Sequence, residues 1–118
     1  MLSTRRKRKD LLEDRLDAVF HALADRTRRR LLARLKEGPA MVTELAAPIA
    51  MALPSVSKHI RVLEAAKLVT RSVDGRIHRC SFAPTPLQDI ERWLEHYRPF
   101  WNQTLEALAE YVEDSPTR

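Results

Sequence analysis

The residues best equipped for chemistry in this chain are short hydroxyls and cations gathered in one stretch: Ser55, Ser57, Lys58, His59 and Arg61, with Arg76 further along. At about 100° per residue, Val56, Ile60 and Leu63 fall on one side, at i, i+4 and i+7, a stripe that must face a core. Pro54, Lys58 and Arg61 then point almost directly away, and Ser55 and Ser57 flank the two edges. Small donors near a helix N-terminus, backed by longer cations, suit the base edges and phosphates of double-stranded DNA. His59 stands about 60° from the centre of the apolar stripe on the same wheel. It is expected to be half-buried, divided between a structural hydrogen bond and a DNA contact. Arg76, beside Asp74-Gly75, is placed to reach a phosphate or the minor groove. Arg71 and Arg79 lie further back as supporting charges, and Asp74 serves the turn.

Other chemistries find little to work with. Two glycines leave no room for a Gly-rich phosphate loop, and neither a paired-carboxylate motif nor a metal-ligand cluster is present. The single cysteine, Cys80, makes no intrachain disulfide or Cys-x-Cys clamp. His78 and Cys80 share one face of a strand, but no pocket accompanies them; a redox role for Cys80 would be lost in Cys80→Ser. The expectation is a protein that is not an enzyme and uses no metal or cofactor.

The elements that must position the reading face follow from periodicity. Residues 1–9, with Arg5, Arg6, Lys7, Arg8 and Lys9, are expected to form a flexible basic arm. Leu12, Leu16, Val19, Phe20 and Leu23 predict a first helix over Asp10–Ala24. Asp25 predicts an N-cap, with a second helix to Lys36 ended by Gly38-Pro39. Its arginines (Arg26, Arg28, Arg29, Arg30, Arg34) are expected to be mostly a solvated face. Thr43 predicts a cap for a short helix over Glu44–Ile49. A turn at Met51-Ala52-Leu53 leads to a helix with Pro54 at its first position, running to Lys67. Residues 43–67 therefore have the spacing of a helix-turn-helix. Asp74-Gly75 between two β-prone runs predicts a hairpin, so that 68–82 form a wing. A last helix, 86–113, carries Leu87, Ile90, Leu94, Tyr97 and Trp101 at a 3.5-residue repeat. Pro99 should bend or interrupt it near Glu95–Tyr97. The fold class is mainly α with a small β-hairpin, a single winged helix-turn-helix domain over 10–114.

Bulk properties agree with that plan. A chain of 118 residues suits one domain with one core. Residues 50–82 hold six basic and two acidic groups, whereas 83–118 hold three basic and seven acidic. Such asymmetry suits a polyanion met by one part of the molecule. No apolar run approaches the ~20 residues of a membrane span. With no secretory signal in view, a cytoplasmic protein is expected.

Two stretches carry a resemblance to a known family. Leu23-Ala24-Asp25-Arg26-Thr27-Arg28-Arg29-Arg30-Leu31-Leu32 resembles the start of the second helix in the ArsR (arsenical-resistance-type) repressors. So does Val56-Ser57-Lys58-His59-Ile60-Arg61-Val62-Leu63-Glu64-Ala65-Ala66-Lys67-Leu68-Val69, with the Asp-Gly wing after it. The resemblance covers about residues 16–112. It implies a homodimer built from terminal helices, with Ser55, Ser57 and Lys58 facing the major groove. Metal-sensing members carry paired cysteines where this chain has Leu45-Ala46-Ala47, and His96 stands without partners. The chain is thus similar to members lacking the metal sites, with an unidentified small-molecule or protein effector.

The apolar stripe of the last helix is too broad for one domain of this size to cover. Leu12, Leu16, Leu87, Ile90, Leu94, Tyr97 and Trp101 are therefore expected at a dimer interface. Twofold symmetry would set two reading helices ~34 Å apart on an inverted repeat. The alternative is a protein-interaction module that kept the scaffold and lost DNA binding.

Overall fold

The computed structural model describes residues 2–114, with side chains from residue 7 onward. Among these described residues, six helices and three strands follow in the order α1 (Leu2–Leu23), α2 (Arg26–Lys36), β1 (Ala40–Met41), α3 (Val42–Ala46), α4 (Leu53–Ala65), β2 (Val69–Asp74), β3 (Ile77–Phe82), α5 (Leu87–Glu95) and α6 (Arg98–Asp114). This is a winged helix-turn-helix: α3 and α4 carry the turn, and β2–β3 form the wing.

The local chemistry that starts and stops these elements is visible. Asp25 sits in extended backbone, and its carboxylate accepts the Arg28 N–H at 3.0 Å, capping α2. Glu44 reaches back to accept the Met41 N–H at 3.0 Å, so α3 starts at Val42 rather than at Glu44. Pro48 supplies no N–H to carry α3 on, and the connection to α4 spans residues 47–52, longer than the sequence suggests. At the end of α4, Leu68 N–H bonds Leu63 O at 3.0 Å and Lys67 N–H bonds Glu64 O at 2.9 Å. That is a Schellman closure, with Lys67 at φ 63° where glycine is usual.

In the wing, Asp74 pairs with Ile77, which leaves Gly75-Arg76 as the two-residue turn. Gly75 has φ 62° while Arg76 stays at negative φ. A glycine at the first turn position is the II′ pattern, and it moves the tip one residue beyond the expected Asp74-Gly75. The expected hairpin also gains a third strand: β1 pairs antiparallel with β3 through Ala40–Cys80 and Met41–Arg79, in the order β1-β3-β2.

Other expectations at the two ends change. The described part of residues 1–9 continues α1 from Leu2 and is not an irregular arm; Met1 lies outside the described residues. The last helix is two, α5 and α6. Pro99 cannot donate to Glu95 O and its ring crowds that carbonyl, so the chain turns at His96–Tyr97 before α6 begins.

The core lies between α2, α3, α4 and the sheet, built from Leu31, Leu35, Leu45, Val56, Ile60, Leu63, Leu68, Val69 and Cys80, with Val19 and Ala22 from α1. Burying each large aliphatic side chain is worth roughly 1.5–3 kcal/mol. By contrast, every residue of α6 is exposed. The radius of gyration is 20.0 Å, against about 13–14 Å for a compact chain of this length.

Asp25→Ala is expected to lower stability by about 1 kcal/mol through loss of the cap. The Arg28 N–H bond, opposed by partial burial and helped by the nearby Arg28 guanidinium, holds the Asp25 carboxyl below the ordinary carboxylate range. A depressed folded pKa contributes stability that is full above the unfolded value and is lost as pH falls through the folded one. Urea unfolding of wild type and Asp25→Asn at fixed protein concentration should show an acid-side loss that the asparagine cap lacks.

Candidate nucleic-acid interface

The placement of α4 begins with its buried face. Val56, Ile60 and Leu63 are each 0% exposed, locking the helix rotation about its axis. That rotation turns Pro54, Ser55, Lys58 and Arg61 to the surface, while Ser57 stays half-buried at the edge. The exposed face therefore presents one hydroxyl near the N-terminus and two cations one turn apart.

Two polar ties fix the helix along its length. At the N-terminal half, Arg28 is 9% exposed. Its Nε donates to Ala22 O at 2.7 Å, its Nη2 to His21 O at 2.8 Å, and its Nη1 to His59 Nδ1 at 3.1 Å. A guanidinium has no lone pair to offer, so His59 Nδ1 is the acceptor and the ring proton sits on Nε2. Asp25 stands 3.9 Å from both Arg28 Nη1 and His59 Nδ1. At the C-terminal end, Arg71 of β2 donates to Glu64 Oε1 at 2.6 Å, with His78 Nδ1 3.3 Å from its other Nη. Wing and reading helix are joined there.

These contacts redistribute roles read from the sequence. His59 turns Nδ1 to Arg28 and is half-buried, as a structural histidine would be. Arg28 is a buried hub and not part of a solvated face. Arg29 caps Leu23 O at 2.7 Å and Arg34 reaches Gly38 O at 3.2 Å, while Arg26 and Arg30 remain exposed. Nothing in residue spacing marked Arg28; the signal was its position three residues after a capping aspartate, one helical turn into α2.

Arg76 occupies the wing tip, exposed, in the same turn as Gly75. Cys80 is 0% exposed, opposite Ala40 and Arg71 in the sheet, and burial pushes its thiol up despite Arg71 nearby. Its full burial among the core side chains makes Cys80 a core residue.

The second surface of interest is apolar. Arg15 of α1 and Asp89 of α5 form a two-pronged pair at 2.7 and 3.2 Å, and Phe20 meets the edge of Trp93 at 5.3 Å. These contacts hold α1 beside α5. Of the residues expected at a dimer seam, Leu87 and Ile90 are half-buried and pack in part against the core of their own chain. Leu16 and Leu94 are half-buried, and Leu12, Tyr97 and Trp101 are exposed. Phe100, Leu105, Leu108 and Val112 widen the stripe, as the sequence leads one to expect, and form an exposed run on α6. Between α1, the end of α4 and α5 lies an open cleft of about 740 Å³, touching Arg15, Ala18, Ala66, Lys67, Pro86 and Asp89 among others.

Arg28→Met keeps the stem and removes the guanidinium, leaving the Ala22 carbonyl and the His59 ring without this donor and the His21 carbonyl with the Ala24 N–H alone. Loss of roughly 1–3 kcal/mol is expected in denaturant unfolding; an unchanged midpoint would mean that water replaces the guanidinium.

Comparison with known proteins places this architecture. A family model described as a helix-turn-helix domain matches residues 23–72. The HTH-type transcriptional regulator Rv2034 of Mycobacterium tuberculosis is 35% identical over 97 residues, covering 82% of this chain and 88% of that protein. The crystal structure of an ArsR family transcriptional regulator matches with TM-score 0.72 and 42% identity, over 76% of this chain and 93% of the other. The solution structure of a homodimeric winged helix-turn-helix DNA-binding domain, Mb0332 of Mycobacterium bovis, matches with TM-score 0.61 and 26% identity, over 85% and 90%. The chain belongs to the ArsR family of DNA-binding transcriptional regulators.

Proposed function

We propose that this regulator is a cytoplasmic homodimer that represses transcription by binding an inverted repeat in promoter DNA. The observation that carries the reading is the division of its surface: a basic, hydroxyl-bearing face on α4, and an uncovered apolar face on α1, α5 and α6. Phe100 is 73% exposed and Val112 63%, far from the ordinary lot of such side chains in a monomer. A second copy related by a twofold axis covers both faces at once, because an isologous interface is self-complementary. The homodimeric state of the Mb0332 domain supports this.

In the dimer, Ser55, Ser57, Lys58 and Arg61 enter the major groove, and Arg76 lies along the flanking backbone or minor groove. Ser55 and Ser57 allow close approach, Lys58 and Arg61 pair with guanine or phosphate, and His59 acts through Arg28 to hold the helix angle. Two such helices about one DNA turn apart read the two half-sites. Occupancy of a promoter excludes polymerase, and so represses. The cleft between α1, α4 and α5 is where we place the effector. A molecule bound there touches the end of the reading helix and both helices beside the dimer face, and so alters the angle between the two heads.

A gel-shift titration with the DNA upstream of the protein's own gene, at two salt concentrations, tests this. Wild type is expected to bind saturably and more weakly at high salt. Lys58→Ala/Arg61→Ala is expected to lose at least about tenfold in affinity, in line with 1–3 kcal/mol per base contact, with the dimer unchanged by sedimentation. Equal affinity for unrelated DNA would reduce the interaction to charge alone.

A further inference from the structure

Beside the N-terminal half of α4 the surface carries a notch of about 520 Å³, lined by His21, Arg28, Met51, Ser55, Lys58 and His59 among its residues. It joins three parts of the chain distant in sequence: the last turn of α1, the first turn of α2, and the turn into α4 with the helix itself. Among the described residues, none that lines it carries a carboxylate. The neighbouring acid, Asp25, caps α2 and stands 3.9 Å from Arg28 Nη1 and His59 Nδ1.

The polar groups around the notch are nearly all donors. Lys58, His21 and Ser55 are exposed. Arg28 is committed to two carbonyls and to His59 Nδ1, which leaves the His59 ring proton on Nε2, the opposite edge. A concavity rich in donors and poor in acceptors is built for an anion. Ser55 and Lys58 belong also to the face read as meeting DNA, so the anion within reach is a phosphodiester.

We propose that this notch seats a phosphate of the DNA backbone, and that His21, which lies outside the helix-turn-helix, is one of the groups that holds it. The proposal rests on the DNA-binding reading above. His21 serves Arg28 through its backbone carbonyl and not its ring, so substituting the side chain spares that tie.

Fluorescence anisotropy of the full chain with an upstream duplex and a scrambled duplex, between about 50 and 200 mM salt, tests the site. His21→Arg is expected to tighten binding to both duplexes by a similar factor and to steepen the salt slope by about one. His21→Glu is expected to weaken both several-fold, with thermal midpoints near wild type. Wild-type slopes in both variants, or a change in preference between the two duplexes, would overturn the phosphate assignment while leaving DNA binding intact. Absence of salt-dependent binding by the wild type would overturn the DNA-binding reading and the notch with it.

Discussion

The arrangement of this protein turns on one buried guanidinium. Desolvating an arginine is costly, and the cost is met only where its donors find acceptors in fixed positions. Arg28 finds them on two elements at once, two carbonyls at the end of α1 and the ring of His59 on α4, with the carboxylate that caps its own helix 3.9 Å away. The unpaired carbonyls at a helix C-terminus need donors in any case. Using one side chain for them and for the reading helix sets the angle between α1, which borders the apolar face, and α4, which carries the basic one.

From that hub the structure extends outward in steps of decreasing burial. The aliphatic stripe of α4 fixes its rotation, and the Lys67 closure turns the chain sharply into β2. The Arg71–Glu64 pair, only about a quarter exposed on average, then ties the wing to the helix it follows. Beyond this the surface separates by chemistry, with cations around α4 and the wing tip and uncovered aromatics on α5 and α6.

Much of this was legible in the residues. Asp25 reads as a cap because a carboxylate before an arginine-rich helix has one obvious N–H to accept. The stripe Val56-Ile60-Leu63 oriented Ser55, Lys58 and Arg61 outward, and Pro99 broke the last helix where its missing N–H requires. What was not legible depended on partners far away in sequence. Two residues of β1 are too few to show alternation. The burial of Arg28 follows from where α1 ends and where His59 points, neither of which is a local property. Leu87 and Ile90 share a periodicity with Tyr97 and Trp101, yet the turn at His96–Tyr97 sends the two pairs to different neighbours. The basic start of α1 had no apolar stripe by which a helix is recognised, and helical backbone there extends a helix already nucleated further on.

The central claim is that two reading helices are held a fixed distance apart by a dimer of the apolar faces. Hydroxyl-radical footprinting on the upstream DNA tests it most directly. Two protected patches about ten base pairs apart, centre to centre, are expected on an inverted repeat. A single protected patch, or protection spread without register along the duplex, would contradict that claim.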